Sequence, residues 1–457
     1  MRAMFAGVSQ LSKVRSVGGL LSRRSWALGS WALGSWGQGP GSWGLGRLWA
    51  LTGETMARVH SPYRALLKRP GAANFAFAGL LARLPISTFN LSVILLVQIR
   101  YDQWEIAGRV AAVGVTVWAL QTLPTARWID HAGQRRMIPL TALFVVGVVI
   151  VVATAMQQGP EWLLWVGVAV ASLTGPLGAL TRARWSYILD NDDDIHTAFS
   201  LEGALDEVLF VAGPALVTWM AYAVHPASGL IVATVGMVGG IALLLTRTDT
   251  EPPASKGTGA KGLGWHVPAG VLAVALCAVA LGAMFGSFDI STVAFATEAG
   301  HENLGGAVLG IISAGSFLGG LLFGSRRWRT PLWKRFLLTA GALGISFVVM
   351  SFMPTLWLYA IVGFLAGMTI APTITSQDSV VQRLVKQSQL IEGMAWLRVG
   401  VGVGVAFGSW LAGRLIDTSG HRAGLWLVAG SAIGVAVLAL AGGWWVRRDT
   451  LRVKGAR

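Results

Sequence analysis

Apolar residues in this chain run on for about 20 positions at a time before polar residues interrupt them, the length a helix needs to cross ~30 Å of hydrocarbon. The runs recur twelve times, at approximately 73–98, 106–127, 138–156, 161–181, 198–224, 227–246, 267–297, 304–324, 336–354, 355–377, 390–413 and 422–446. Twelve spans leave little chain for anything else. The pattern predicts an all-α integral membrane protein with twelve transmembrane helices.

The polar positions between the spans also follow a rule. Thirty Lys and Arg residues fall in the N-terminal segment, the even-numbered loops and the tail, against two, Arg100 and Arg422, in the odd-numbered loops. Cytoplasmic loops retain positive charge. Both termini are therefore expected in the cytoplasm of a multi-pass plasma-membrane protein, with odd spans running outward. Composition agrees: 54% of residues are hydrophobic and 12% charged, against about 25% charged in a soluble domain. The net charge of +15 sits in short loops that flank spans, so it reports topology and predicts no nucleic-acid partner. Cys277 is the single cysteine, which excludes an intrachain disulfide. Arg outnumbers Lys about four to one, as codon usage in a GC-rich bacterial gene would give.

Residues 1–71 are expected to form a disordered Gly/Trp/Arg-rich extension and a cytoplasmic lead, with Trp26, Trp31 and Trp36 spaced by five. Met56 could serve as an alternative start. The remaining expected units are a six-helix bundle over 72–246, a cytoplasmic linker over 247–266, a second bundle over 267–446 and a basic tail over 447–457. The linker is polar and rich in Pro and Gly, as a flexible connector should be.

The two bundles read as copies. Phe89-Asn90 in span one matches Phe288-Asp289 in span seven, Gly108 matches Gly306, and Arg127-Trp128 matches Arg327-Trp328. Pro176 matches Pro372, and Leu201-Glu202-Gly203 matches Ile391-Glu392-Gly393. The matches occur in order at similar offsets. Internal repeats of this parallel kind belong to transporters.

The loop after span two reads Ala126-Arg127-Trp128-Ile129-Asp130-His131-Ala132-Gly133-Gln134-Arg135-Arg136. It resembles the Gly-x-x-x-Asp-Arg-x-Gly-Arg-Arg loop of the major facilitator superfamily, with Asp130, Gly133, Arg135 and Arg136 in place and Ala126, His131 and Gln134 departing from it. The copy after span eight keeps basic residues and lacks the Asp. The resemblance covers about 62–448, is similar among members to actinobacterial transporters, and implies the major facilitator fold with a cavity around spans one, four, seven and ten. By physics alone, Asp130 at a helix end beside a Gly133 turn could accept hydrogen bonds from a neighbouring helix or an Arg and latch two helices. A plain basic loop is the alternative.

Ionisable groups inside spans are costly and are site hypotheses by default. Arg83 lies near the middle of span one, two residues before Pro85. Asp206 and Glu207 lie about one turn inside span five, at a depth that lets Arg83 reach them. Asp289, in the outer part of span seven, has no cation at its depth, so it is the proton-coupling candidate, unless Ser291 or backbone absorbs it. Glu392 and Arg398 occupy the inner part of span eleven. Arg109 and Arg414 are expected to snorkel. Gly175, Pro176 and Pro372 are expected as hinge or lining positions, and Gly213-Pro214 resembles part of an exporter motif. The glycines at 400, 402, 404 and 408 are expected to pack helices.

No phosphate-binding Gly-Lys loop, metal-ligand spacing or nucleophile–base arrangement occurs, so no enzyme activity, metal or cofactor is expected. The favoured reading is a monomeric secondary transporter that exchanges protons for a small amphipathic molecule and exports it. A proton-coupled uptake symporter, with Arg83 binding a carboxylate substrate, is the alternative. A non-transporting lipid-handling or sensor protein is the alternative from another class.

Overall fold

The computed structural model describes residues 63–254, 269–326, 328–385 and 390–455, all helix, turn or loop with no strand among them. The extension over 1–62 and the linker over 255–266 lie outside the described residues.

Ten of the described helices are long and apolar enough to cross a membrane unaided. Span two is one helix of 29 residues, Trp104–Ala132, whose apolar run is diluted by Arg109, Gln121 and Arg127. At 1.5 Å per residue it is ~44 Å long, more than enough to span. Span four is cut in two, Glu161–Ala171 and Leu177–Ile188.

That cut is written locally. Gly175 sits at φ +70, and a side chain there would meet Leu140 Cδ1 at 2.9 Å, so only glycine fits the turn. Pro176, with no N–H to donate, precedes the new helix. Span one breaks in the same way at Arg83, which ends Ala72–Ala82 and begins Leu84–Tyr101, with Pro85 in the first turn of the second piece. Span ten breaks between Leu356–Gly367 and Ile370–Leu384. It extends to Leu384, past the expected end at 377, because the helix continues after its apolar run stops. Span seven, Ala269–Glu298, is unbroken.

The two halves meet along two glycine-mediated seams. In one, a side chain on Gly108 of span two would collide with the Ser409 carbonyl of span eleven, and one on Gly413 would collide with the Trp104 carbonyl. In the other, Gly306 and Gly310 of span eight press against the Pro214 and Val211 carbonyls of span five. Gly108 and Gly306, matched in the repeat, thus do the same work in the two seams. Within the second half, Gly400, Gly404 and Gly408 seat span eleven on the backbone of span seven, while Gly402 faces Ala119 of span two. The seams at Gly108, Gly413, Gly306 and Gly310 lie at the span ends away from the basic loops.

Candidate functional site

At the break in span one, the Arg83 side chain is a buried charge held from three sides. The guanidinium is fully buried. Its Nε donates to the Gly79 carbonyl at 3.0 Å, Nη1 donates to Asp206 Oδ1 at 2.8 Å, and Nη2 donates to Glu202 Oε2. Glu202, also fully buried, accepts from Trp185 Nε1 at 2.7 Å and Thr181 Oγ1 at 3.0 Å. Asp206 Oδ2 accepts from Arg182 at 3.2 Å. Two cations and two carboxylates close on each other, each with a hydrogen-bonding partner, as buried charges require.

Glu207 is not part of that cluster. It follows Asp206 on the helix, so its side chain points about 100° away, into a central cavity. The cavity has two adjoining lobes of about 400 Å³ and about 300 Å³ that share Ile86, Asn90, Phe210 and Asp289. Spans one, five, seven, eight and ten wall the first lobe, and spans one, two, four, five, seven and eleven the second. Five rings, Phe89, Trp118, Phe210, Phe285 and Phe288, line them.

Asp289 lies where the lobes join. No hydrogen bond or ion pair to it occurs among the described residues, and Ser291, the neighbour that could have absorbed it, leaves its own buried Oγ unpaired. Its repeat partner Asn90 lines the same cavity.

The hinge and lining candidates divide. Pro214 lines the first lobe. Gly175 and Pro176 form the break in span four, and Pro176 instead lines a groove nearer the basic end, beside Gly133 and Pro252. Pro372 is buried inside the helix Ile370–Leu384 and lines neither lobe, since the break in span ten falls just before it. Gly213 packs on Ser87 of span one.

The loop after span two folds onto its own half. Gly133 sits at φ +85 and its N–H bonds the Ile129 carbonyl at 2.8 Å. Gln134, a departure from the family pattern, is the buried centre: its N–H donates to Glu251 Oε1 at 3.0 Å, its amide donates to the Leu180 carbonyl at 3.2 Å, and its Oε1 accepts from Arg184 at 2.8 Å. Arg184 also donates to the Arg247 carbonyl and to Thr250 Oγ1. Arg135 and Arg136 are exposed, Arg136 lying over the Trp128 ring at 5.6 Å. The Asp130 and Glu392 side chains lie outside the described residues.

Several partners carried no motif in the sequence. Asp378 meets Arg398 at 3.5 Å, in a pair whose Arg side chain is 57% exposed. Arg109, expected to snorkel, is clamped by Glu161 at 2.7 and 2.8 Å and by Glu105 at 2.7 Å, because Glu161 starts span four at the same level. Asp417 accepts the Trp104 N–H at 2.9 Å and the Glu105 N–H at 2.6 Å. A carboxylate from one half thus caps the first helix of a seam in the other.

No protein-family model matches the chain, and no curated protein does. Solved structures resemble it across most of its length. A nucleoside transporter, NupG, aligns with TM-score 0.68 at 12% identity, covering 81% of this chain and 99% of that one. A bacterial homologue of the iron transporter ferroportin, in an inward-facing state, gives 0.63 at 13%, covering 81% and 98%. The POT family transporter PepTSo gives 0.65 at 10%, covering 83% and 98%. The fold is that of the major facilitator transporters: an all-helical, multi-pass membrane protein.

Proposed function

We propose that the chain is a secondary transporter that exports a small amphipathic molecule across the plasma membrane in exchange for protons. The observation that carries this reading is Asp289, a carboxyl without a partner among the described residues, in a cavity between two repeated halves. A carboxyl held in an apolar cavity can take up and release a proton as its surroundings alternate. The Lys and Arg count places the basic end in the cytoplasm. The halves are joined at the other end, through Asp417, Gly108 and Gly306, so the cavity faces inward, ready to load from the cytoplasm. Rocking the halves about the cavity exposes it to the outside.

The buried state of Arg83 weighs against uptake of a carboxylate substrate on that residue, since its donors are already taken by Gly79, Glu202 and Asp206. In this reading the loop around Asp130, Gly133, Arg135 and Arg136 gates the cytoplasmic end. Its clasp on residues 247–251 holds it within the first half while the cavity faces inward.

The test uses the purified chain in proteoliposomes with a pH-sensitive dye inside and a panel of compounds outside. Proton flux driven by one compound class, and lost in Asp289→Asn, supports the reading. Flux that survives the substitution moves the proton site to Asp206 or Glu207. Absence of flux with every compound, from protein shown to be folded, overturns it.

A further inference from the structure

Among the described residues the charge lining the cavity is of one sign: Glu207 and Asp289 are its ionisable lining residues, and no described Lys, Arg or His lines either lobe. The nearest cations do not compensate them. Arg83 is spent on Gly79, Glu202 and Asp206, and Arg182 on Asp206, so that cluster is neutral within itself. Neither Glu207 nor Asp289 has a hydrogen-bond or ion-pair partner among the described residues.

Resting on the transport reading above, we propose that the substrate class is a lipophilic organic cation, held by Asp289 and Glu207 and by the aromatic wall. Three properties of the site converge on this chemistry. An anion would have to be desolvated against two carboxylates, and like charges in a low-dielectric site repel strongly. A neutral polar molecule would leave those carboxylates unpaired, which costs it affinity. A cation satisfies them and also gains from the described rings that line the lobes, since a cation over an aromatic face is attracted more strongly where water is excluded. The polar neutral groups, among them Asn90, Ser87, Ser313 and Thr174, are few and scattered. They orient a substrate without supplying the hydrogen-bond array that a sugar or a peptide needs. Lobes of about 400 and about 300 Å³ fall in the range that accepts a drug-sized molecule.

The bond to the substrate is therefore an ion pair whose strength depends on the sign of the ligand's charge and very little on its shape. Tetraphenylphosphonium and tetraphenylborate test this directly, having nearly the same size and lipophilicity and opposite charge. Equilibrium dialysis of each against the purified full chain in lipid nanodiscs gives the comparison. Tetraphenylphosphonium is expected to bind more tightly by roughly tenfold or more, the factor that about 1.4 kcal/mol of charge and ring interaction supplies. Asp289→Asn is expected to remove most of that preference, and Glu207→Gln a smaller part. Equal affinity for the two probes in the unaltered protein overturns the inference without any variant having to fold. So does a preference that survives in the Asp289→Asn, Glu207→Gln double variant.

The outcome separates from that of the transport reading. Flux with neutral or anionic compounds, alongside no preference for the cationic probe, sinks the substrate class and leaves the transporter standing. Cation-selective binding without flux of any compound keeps the cation site and overturns transport.

Discussion

The two halves carry the same position differently. Asn90 in the first and Asp289 in the second are matched in the repeat, and both line the cavity. The first half holds four of its charges in a closed cluster of Arg83, Glu202, Asp206 and Arg182, tied down by Trp185 and Thr181, and leaves Glu207 facing the cavity beside it. The second half has no such cluster among the described residues and leaves its carboxyl bare. Charge in that cluster is structural because every member has a partner that would be stranded by its loss. Asp289 is available because no partner among the described residues is stranded when it gains or loses a proton. At this matched position the second half carries an acid and the first a neutral amide of the same size.

The largest effect follows from moving that acid. Asp289→Asn makes the two positions identical and neutral, and substrate-dependent proton flux is expected to fall at least tenfold. Adding Asn90→Asp to that variant returns a carboxyl to the other wall of the same cavity. Partial recovery of flux in the double variant would show that the cavity needs one acid and tolerates it on either half. No recovery, from folded protein, would tie the function to the span seven position and break the equivalence of the halves.

Next comes the cluster itself. Glu202→Gln removes a buried anion and leaves Arg83 with Asp206 and the Gly79 carbonyl. Breaking a buried pair by deleting one partner costs about 3 kcal/mol. The expected result is a clear drop in thermal unfolding temperature in detergent, where Asp289→Asn leaves it nearly unchanged. A Glu202→Gln protein as stable as the original would mean that the first half's charges are as dispensable to the fold as Asp289, and the contrast between the halves would fail.

The spans, the repeat and the depth match of Arg83 with Asp206 were legible in the sequence, because twenty-residue apolar runs, recurring motifs and helical rise are properties of the chain itself. Partners brought together by tertiary packing were not. Glu202 was legible only as part of the Leu201-Glu202-Gly203 repeat, since nothing local says that Trp185 and Thr181 will point at it. Gln134 looked like a departure from a motif, and only the fold shows it bridging span four and the start of the linker. Asp378 was hidden because an apolar run marks where hydrocarbon ends, and the helix of span ten continues beyond it. Pro372 was expected as a hinge or lining position, yet it lines neither lobe and span ten breaks just before it.

Asp417 should give a smaller effect, because a cap at a helix N-terminus contributes about 1 kcal/mol. It is the asymmetric element of the two seams. The seam of spans two and eleven has this carboxylate across it, while the seam of spans five and eight is closed at Gly306 and Gly310 by apposed backbone. Asp417→Asn keeps the size of the side chain and removes the charge that favours the helix N-terminus. The cap loses its charge, the arrangement with this seam closed loses at most about 1 kcal/mol, and the population with the seam open rises by up to about fivefold. Labelling of a cysteine placed at Thr218, beside Gly306 in the other seam, reads that shift from the outside, with Cys277 replaced by Ser. Faster labelling in Asp417→Asn would mean that the seams open together, as rigid halves must. Labelling at the original rate would mean that the span two seam loosens alone, and that the halves bend where the rocking picture requires them to turn.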